Sequence, residues 1–378
     1  MSSQNITLVT WHNSKNYGTC LQCYALGKYL RSKGFKVCIP NTYQYYYGIK
    51  HPAETMMNIK RKFVQEIKEC TFSENLQNDY KTRAEKNYAF ALNASKIRII
   101  RSRQEYKEII RETDVFISGS DQIWNPDNMT PPMLLSIAPN DSLKIAYGSS
   151  FGVKQLPTRV KKTYKKYLNR FHAIGVRETT GKHIVEELVK IRVSVVLDPS
   201  FLLGKKEWQK IEKMPQKIMG NSCGFAFCYF IRKNIPVAEI ERYCMKKKII
   251  PVYILSETVV IPKTNRIVLT DAGVDEFIWG IIHSDCVITD SFHAIALSIN
   301  FNKLFFAYKR FEDDDIKSQN SRITDLLSIF DLSERLVEEG DSLSELNNKI
   351  DYAYVDMILK EERRKSEMFL LNAIGEKA

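Results

Sequence analysis

CVITDSFHAIALSI, residues 286–299, joins an apolar run to a helical pattern through a four-residue loop, Asp290-Ser291-Phe292-His293. An apolar strand that passes directly into a helix is typical of a parallel sheet, and α/β proteins bind their ligands where such strands end. The helix would present free backbone N–H groups and the positive end of its dipole, with Ser291 as its predicted cap. The loop is therefore predicted to be an anion site.

The same alternation of apolar strands and helical stretches recurs along the chain. Residues 6–10 predict a first strand, a helix follows from about 18 to 32, and Gly34 is predicted to stop it. Further strands are predicted at 35–39, 114–118, 144–147, 173–176, 194–197, 224–230, 249–255, 286–289 and 304–308. Strands that alternate with helices indicate parallel sheets covered on both faces. The predicted fold is α/β, with two Rossmann-like lobes and an active site in the cleft between them.

A chain of 378 residues is longer than a single hydrophobic core usually supports, which agrees with two lobes. We expect an N-terminal lobe over 1–178, with a charged helical insertion at about 55–110, and a C-terminal lobe over 179–350. The last segment, 351–378, is a charged helical pattern that we expect to pack across the lobes.

Composition narrows the class of protein. Hydrophobic residues make up 44% of the chain and charged residues 26%, as in ordinary globular proteins. No apolar stretch approaches the roughly 18 residues that span a bilayer, and the N-terminus lacks an export pattern, so a cytoplasmic location is expected. The 8 cysteines are scattered, without the clusters of a zinc site, so reduced thiols are expected.

The net charge of +12 indicates an acidic partner. No recognised nucleic-acid reader motif and no interleaved stacking aromatics occur, so we expect no nucleic-acid partner. An anionic substrate and an anionic membrane surface fit the charge equally well.

Two side chains are candidates for chemistry on an anion. His293, beside Asp290 and Ser291, could neutralise a phosphate or donate a proton, or it could be an ordinary structural histidine. Arg177 follows a short apolar run, where a guanidinium can clamp a carboxylate or phosphate; the alternative is a surface arginine beside Glu178.

Three further segments are candidate ligand contacts. Asn16 and Gly18 start the first long helix, where a small residue lets a ligand approach the backbone, although an Asn cap with a Gly turn explains them too. In the turn 119–125, Trp124 could stack on a sugar ring while Asp121, Gln122 and Asn125 bond its hydroxyls. The alternative is that Asp121 caps a helix and Trp124 lies in the core. The third segment, Arg310 with the turn Asn320-Ser321-Arg322, could form a flap over the cleft or a solvated loop.

Taken in order, these segments resemble the polysaccharide pyruvyl transferase family across nearly the whole chain. The matching segments are Asn16-Tyr17-Gly18 with Leu21-Gln22 and Tyr24-Ala25-Leu26, then Gly119 to Asn125, Val176-Arg177-Glu178, Asp198-Pro199, and Thr289 to His293. The family's fold is similar to the two Rossmann-like lobes of GT-B glycosyltransferases. The resemblance implies transfer of a pyruvyl group from phosphoenolpyruvate to a sugar, with formation of a cyclic ketal and release of phosphate.

The resemblance also implies roles for the candidate residues. Arg177 would bind the donor phosphate or carboxylate, and His293 would contact the phosphate and is a candidate to move a proton. Several members carry a basic residue two positions before this histidine, where this chain has Ser291, so a second donor cation is expected from Arg310 or Arg322. The donor side would then comprise Asp290, Ser291, Arg310 and Arg322 on the second lobe, and the acceptor side Asn16, Gly18, Asp121, Gln122, Trp124 and Asn125 on the first.

The expected partners are phosphoenolpyruvate and a sugar or lipid-linked oligosaccharide, with no cofactor besides the co-substrate and no metal ligands assigned. An acceptor built on a lipid carrier would bring the protein to an anionic membrane surface. Two other functions stay open: a sugar-nucleotide glycosyltransferase of the same architecture, and a non-catalytic protein whose basic face binds anionic glycan or lipid.

Overall fold

The computed structural model describes residues 4–12, 16–42, 74–232, 234–255, 266–311, 319–338, 340–346 and 349–375. Within these ranges the chain forms two six-stranded sheets, and every strand pairing is parallel. The predicted α/β fold with two Rossmann-like lobes is confirmed. None of the described helices is both long and apolar enough to cross a bilayer.

The first sheet has the strand order β2-β1-β3-β4-β5-β6. Its strands are β1 (Asn5–Val9), β2 (Lys36–Cys38), β3 (Val115–Ser118), β4 (Leu143–Ser149), β5 (Ala173–Val176) and β6 (Val193–Val195). Its helices are α1 (Tyr17–Ser32), α2 (Glu74–Asn93), α3 (Arg103–Glu112), α4 (Thr158–Leu168) and α5 (Thr179–Leu188). The strand order reverses direction between β1 and β3, and ligands of such sheets bind at a reversal of this kind.

The sequence pattern places the lobe boundary at 178/179 and so predicts that the helix and strand after residue 179 belong to the second lobe. That assignment is wrong for β6, which pairs with β5 in the first sheet through the partners Ile174 and Val193. The physical reason is that only a short connection joins the end of α5 to β6. The strand therefore pairs with β5 at the edge of the first sheet, by the usual short crossover between neighbouring parallel strands. In the insertion predicted at about 55–110, the structure contains α2 and α3, whereas residues 55–73 lie outside the described residues.

The second sheet has the order β12-β11-β10-β7-β8-β9. Its strands are β7 (Phe225–Phe230), β8 (Ile250–Leu255), β9 (Ile267–Val268), β10 (Cys286–Thr289), β11 (Leu304–Tyr308) and β12 (Leu336–Val337). The helices of this half are α6 (Lys205–Gln209), α7 (Val237–Lys247), α8 (Val274–His283), α9 (Phe292–Asn300), α10 (Ser321–Ile329) and α11 (Tyr352–Gly375). The sequence does not predict β9 and β12, because a strand of two residues is too short to show an alternation of apolar and polar residues.

The two lobes share one continuous apolar core, which includes Leu8 and Tyr147 of the first sheet and Phe227 and Ile254 of the second. Tyr17, at the start of α1, reaches into the second lobe. Its hydroxyl donates to the carbonyl of Ala272 at 2.6 Å, and its ring stacks on Phe277 with centroids 4.6 Å apart. The carboxyl ends of both sheets are thereby held facing each other.

Two further helices contact both lobes. On α2, Arg83 is buried and donates to the carbonyl of Leu255 at 2.9 Å, at the end of β8. On α11, the hydroxyl of Tyr352 donates to the carbonyl of Lys303 in the second lobe, and the hydroxyl of Ser366 accepts from the amide of Leu197. Relative rotation of the lobes would break these contacts.

Candidate active site

Loops that follow strands of both sheets enclose a cavity of about 170 Å³ between the lobes. A cavity of about 150 Å³ holds a molecule the size of benzene, so the enclosed part of this one fits a single small molecule. The first lobe contributes Trp11, Asn16, Thr19, Asp121 and Gln122, and the second contributes Ile231, Asp290, Ser291, Phe292, His293, Arg310, Phe311, Gln319, Arg322 and Ile323.

The N-terminus of α9 faces this cavity, because Ser291, Phe292 and His293 all line it. The side chain of Ser291 makes no capping hydrogen bond, so the predicted Ser291 cap is wrong. Instead the hydroxyl of Thr289 accepts from the amide of Ser291 at 3.0 Å. The amides of a helix's first turn have no acceptor within the helix, so this end favours an anion.

Asp290 positions a neighbouring loop. Its carboxylate accepts from the amides of Ile231 at 2.7 Å and Arg232 at 2.8 Å, both directly after β7. Burial raises the pKa of Asp290 above its ordinary value, against the opposing effect of these two amides. The residue therefore shapes the donor-side wall through backbone contacts.

His293 is held between the two lobes. A Cβ atom at Gly18 would lie 2.0 Å from Nδ1 of His293, so α1 can pack here only with glycine. Nε2 of His293 lies 3.6 Å from Oδ2 of Asp198, beyond hydrogen-bond distance, and has no hydrogen-bond partner among the described residues. The close approach predicted at Gly18 is thus made by a histidine of the same chain. Gly18 does not line the cavity.

Arg177 lies beneath the cavity and does not line it. Its Nη1 donates to Oδ2 of Asp198 at 2.9 Å, and its Nη2 lies 3.5 Å from Oδ1 of Asp121. The guanidinium also lies over the ring of Phe292, 4.3 Å from its centroid. Burial alone would lower the pKa of Arg177, but Asp198, Asp121 and Glu178 raise it overall. The charge of Arg177 is thus compensated by carboxylates of its own chain.

These carboxylates differ in their ionisation. Burial alone would raise the pKa of Asp198, yet His293, Arg177 and the amide of Ser200 hold it far below its ordinary value. Asp121 behaves likewise, with Arg177 as the main opposing charge, so the cavity contains an ionised carboxylate. For Glu178 the effect of burial prevails, and its pKa is raised.

Asp121 and Gln122 are positioned by the turn that follows β3. A Cβ at Gly119, where φ is +134°, would lie 2.0 Å from the carbonyl oxygen of Tyr147, so the turn requires glycine. Oε1 of Gln22 on α1 accepts from the amide of Ser120 at 2.8 Å, and the hydroxyl of Thr19 donates to Asp121 at 2.9 Å. The turn is thereby fixed to the first turns of α1.

Arg322 brings a further cation to the cavity. It lies in the first turn of α10, where the sequence analysis predicted a turn and not a helix. Its Nη2 donates to Oε1 of Gln319 at 2.8 Å, and Nε2 of Gln122 donates to the same oxygen at 2.6 Å. Among the described residues no carboxylate lies within ion-pair distance of Arg322. Burial and the nearby Arg177 lower the pKa of Arg322, against the opposing effect of Asp121 and Glu178, so a bound anion would further stabilise its charge.

Arg310 lines the same cavity from the end of β11. Its amide donates to Oδ1 of Asn320 at 3.1 Å, which fixes the start of the loop to α10. The acidic stretch 312–315, which separates the two arginines in sequence, lies outside the described residues. Arg310 and Arg322, predicted together on the donor side, do meet at the cavity.

Two predicted acceptor contacts lie elsewhere. The indole of Trp124 is fully buried, donates to the carbonyl of Met133 at 2.9 Å and packs edge-on against Phe151 and Phe171, so the predicted stacking role is wrong. Asn125 is also buried, and its Oδ1 accepts from the amide of Asp127 at 3.0 Å within a turn.

The indole that does line the cavity is Trp11, which the sequence analysis did not select. Trp11 comes two residues after the end of β1, and His293 comes four residues after the end of β10, so position after a strand could have identified Trp11. Gln319 was missed because no strand or motif precedes it.

The described residues contain no group of three or more His, Cys, Asp or Glu side chains placed to hold a metal ion.

A model of the polysaccharide pyruvyl transferase family matches residues 16–310. The chain belongs to the polysaccharide pyruvyl transferase family. The matched range contains Asn16, Arg177, His293 and Arg310 and ends before Arg322. A search of curated proteins finds no match.

Several solved structures are similar to this family member over almost their whole length. A glycosyltransferase from Rickettsia africae has 12% identity and a TM-score of 0.47, covering 98% of this chain and 99% of its own. MnaA of S. aureus, solved with UDP, has 12% identity and a TM-score of 0.47 over 100% of this chain and 99% of its own. The UDP-GlcNAc 2-epimerase of Neisseria meningitidis, bound to UDP-GlcNAc, has 9% identity and a TM-score of 0.45, over 96% of this chain and 100% of its own.

Proposed function

We propose that this family member transfers a pyruvyl group from phosphoenolpyruvate to a sugar of a cell-surface polysaccharide or of its lipid-linked precursor, forms a pyruvate ketal and releases phosphate. Membership of the family supports pyruvyl transfer to a polysaccharide. The observation that carries the choice of donor is Arg322, a half-buried arginine that lines the cavity and has no ion-pair partner among the described residues.

Phosphoenolpyruvate carries a phosphate and a carboxylate, and the second lobe offers groups for both. A charge drawn partly out of water without an ion-pair partner costs free energy that an anionic ligand offsets. Arg322 and Arg310 supply two guanidinium groups, and the first turn of α9 supplies backbone N–H donors. In this proposal Arg322 takes the place of the basic residue that several family members carry at the position of Ser291.

The proposed reaction adds two acceptor hydroxyls to one carbon. The first hydroxyl attacks C2 of phosphoenolpyruvate while C3 gains a proton and becomes a methyl group. The second hydroxyl then attacks C2, the bond from C2 to the phosphate oxygen breaks, and phosphate leaves. One hydroxyl proton thus replaces the proton supplied to C3, and the other leaves with phosphate or a base.

The side chains of the cavity match the groups that this chemistry needs. His293 is the proposed proton carrier, since an imidazole accepts and donates protons near neutral pH. Asp121 is an ionised carboxylate at the cavity and would accept from an acceptor hydroxyl. Trp11, in place of Trp124, would contact the apolar face of the sugar ring. Arg177, which does not line the cavity, would contribute indirectly by holding Asp121 and Asp198 in place.

The test is Arg322→Gln, assayed for phosphate release and for ketal formation on a polysaccharide or lipid-linked acceptor. Removing one member of a buried charge pair costs about 2 kcal/mol or more, so we expect the KM for phosphoenolpyruvate to rise by roughly 30-fold or more. Arg111→Gln is the matched control, because Arg111 is exposed on α3.

An unchanged KM in Arg322→Gln would contradict the donor assignment. If His293→Ala and Arg177→Ala both keep full donor-dependent phosphate release, the assigned chemistry is wrong as well. Release of nucleotide from a sugar nucleotide, without turnover of phosphoenolpyruvate, would show a glycosyltransferase instead. Salt-sensitive binding of anionic glycan or lipid without any turnover would show a binding protein.

A further inference from the structure

Helix α4 is strongly basic, and the proposed reaction does not use it. Its sequence, TRVKKTYKKYL, contains Arg159, Lys161, Lys162, Lys165 and Lys166 and no acidic residue. Within the described residues, the one ion pair made by these five side chains joins Lys161 to Glu187 of α5 at 3.2 Å. The helix therefore presents nearly all of its positive charge to solvent.

The charges lie on one face of α4. Tyr164 and Leu168 are buried against the first lobe, whereas Arg159, Lys162, Lys165 and Lys166 are exposed. At 3.6 residues per turn, Arg159, Lys162 and Lys166 fall on the side opposite the buried pair, and Lys165 lies on the flank of that side. The 11 residues of the helix span roughly 16 Å at 1.5 Å per residue. The helix therefore presents a basic face to solvent, while its apolar face packs against the first lobe.

The position of α4 relates this face to the cavity. The helix follows the carboxyl end of β4, which is the cavity side of the sheet, and runs back along the outside of the lobe. It packs against α5, whose first amide, at Thr179, donates to Asp325 of α10 at 3.1 Å. Because α10 also carries Arg322, α5 lies between the basic helix and an element of the cavity.

We propose that the outward face of α4 binds the surface of an anionic phospholipid bilayer. A row of lysines and arginines in one plane is complementary to a planar array of anionic headgroups, and each residue near such a surface adds to the attraction. Single-stranded nucleic acid is a poorer match, since its readers combine charge with exposed aromatic rings. On α4, Tyr164 is buried and Tyr167 is half-buried with the ammonium of Lys166 over its ring.

The experiment compares vesicles of phosphatidylcholine alone with vesicles in which a third of the lipid is phosphatidylglycerol. We expect the protein to co-sediment with the anionic vesicles at low salt, to be released as salt rises, and to ignore the neutral ones. The variant K162Q/K165Q/K166Q should bind at least roughly tenfold more weakly, because each lost charge weakens the attraction to the anionic surface. No donor or acceptor is present, so this result is independent of the proposed reaction.

The matched control is K246Q/K247Q/K248Q, which removes the same charge from exposed lysines at the end of α7. It should bind within about twofold of the parent if α4 is the docking face. K162R/K165R/K166R keeps the charge and should keep the binding, which separates charge from folding. Equal weakening by both glutamine variants, or no binding to anionic vesicles, would overturn the proposal. Displacement by a single-stranded DNA oligomer at matched phosphate concentration would also overturn it, in favour of a polyanion site.

Discussion

At the scale of single residues, His293 shows how closely the site depends on both lobes. It belongs to the second lobe, yet it is enclosed by Gly18 and Asp198 of the first. The sequence predicts His293 as a site residue from its place after a strand. It cannot show that the contact at Gly18 is with this same histidine, because 275 residues separate them.

Gly18→Ala should disturb the site more than the fold. The added Cβ would lie 2.0 Å from Nδ1 of His293, so the imidazole must move. Overpacking of this kind costs about 1–3 kcal/mol, and we expect a loss in the free energy of unfolding within that range. Transfer activity should fall more than the affinity for phosphoenolpyruvate.

A double variant tests this explanation. Gly18→Ala combined with His293→Ala removes the obstructing ring, so its free energy of unfolding should recover relative to Gly18→Ala alone. Denaturant unfolding of both variants measures the recovery. Strictly additive destabilisation would contradict the contact.

Asp198→Asn should weaken the fold in a pH-dependent way. The substitution leaves the buried Arg177 without its nearest carboxylate, which costs about 3–5 kcal/mol. Since the pKa of Asp198 in the fold is held below its ordinary 3.8, its stabilising effect is complete above that pH. The effect is lost as the pH falls from there towards the lower value of the folded state.

The measurement is the free energy of unfolding of parent and Asp198→Asn from neutral to acidic pH. The difference between the two should shrink on acidification below the ordinary pKa. Asp141→Asn serves as the control, since Asp141 is exposed. A difference that stays constant over the whole range would mean that Asp198 does not act through its charge.

At the scale of secondary-structure elements, the stability of α1 depends on its N-terminal cap, Asn16. Oδ1 of Asn16 accepts from the amide of Gly18 at 3.0 Å and so caps the helix at the cavity. Replacement of such a cap by alanine costs about 1 kcal/mol. We expect Asn16→Ala to lose that amount in denaturant unfolding.

Asn16→Asp separates the cap from the ligand site. Aspartate caps as well as asparagine, so stability should be kept, whereas the added negative charge at the cavity should weaken binding of phosphoenolpyruvate. If Asn16→Asp lost stability as Asn16→Ala does, the capping explanation would be wrong.

Local pattern predicted most of the elements but fewer of the site contacts. The strand and helix around the loop 290–293 follow from hydrophobic period, and so do β7, β8 and α4. The roles of Trp124 and Arg177 could not be predicted in this way. A position at the end of a strand indicates that a side chain lies near the site, but it does not indicate in which direction the side chain points. Trp124 points into the core, and Arg177 points to carboxylates brought there by other loops.

At the scale of the whole molecule, the two sheets share one continuous core. Arg83 and Tyr17 fasten elements of the first lobe to carbonyl groups of the second. We therefore expect both lobes to unfold together, since neither can open without exposing apolar side chains of the other.

Hydrogen exchange in denaturant measures this coupling. Amides of β4 in the first sheet and β10 in the second should report the same free energy of opening. Exchange of one sheet at clearly lower denaturant concentration would show that the lobes are independent folding units.

The shared core also affects how the chain folds while it is being synthesised. The first sheet is complete once β6 has emerged from the ribosome, but α8 and α9, which cover α1, come roughly 100 residues later. At about 5–20 residues per second this delay lasts on the order of 5–20 s. During that interval Tyr17, Leu21 and Tyr24 have no partner surface from the second half. The nascent first lobe therefore exposes these apolar side chains until α8 and α9 have been synthesised.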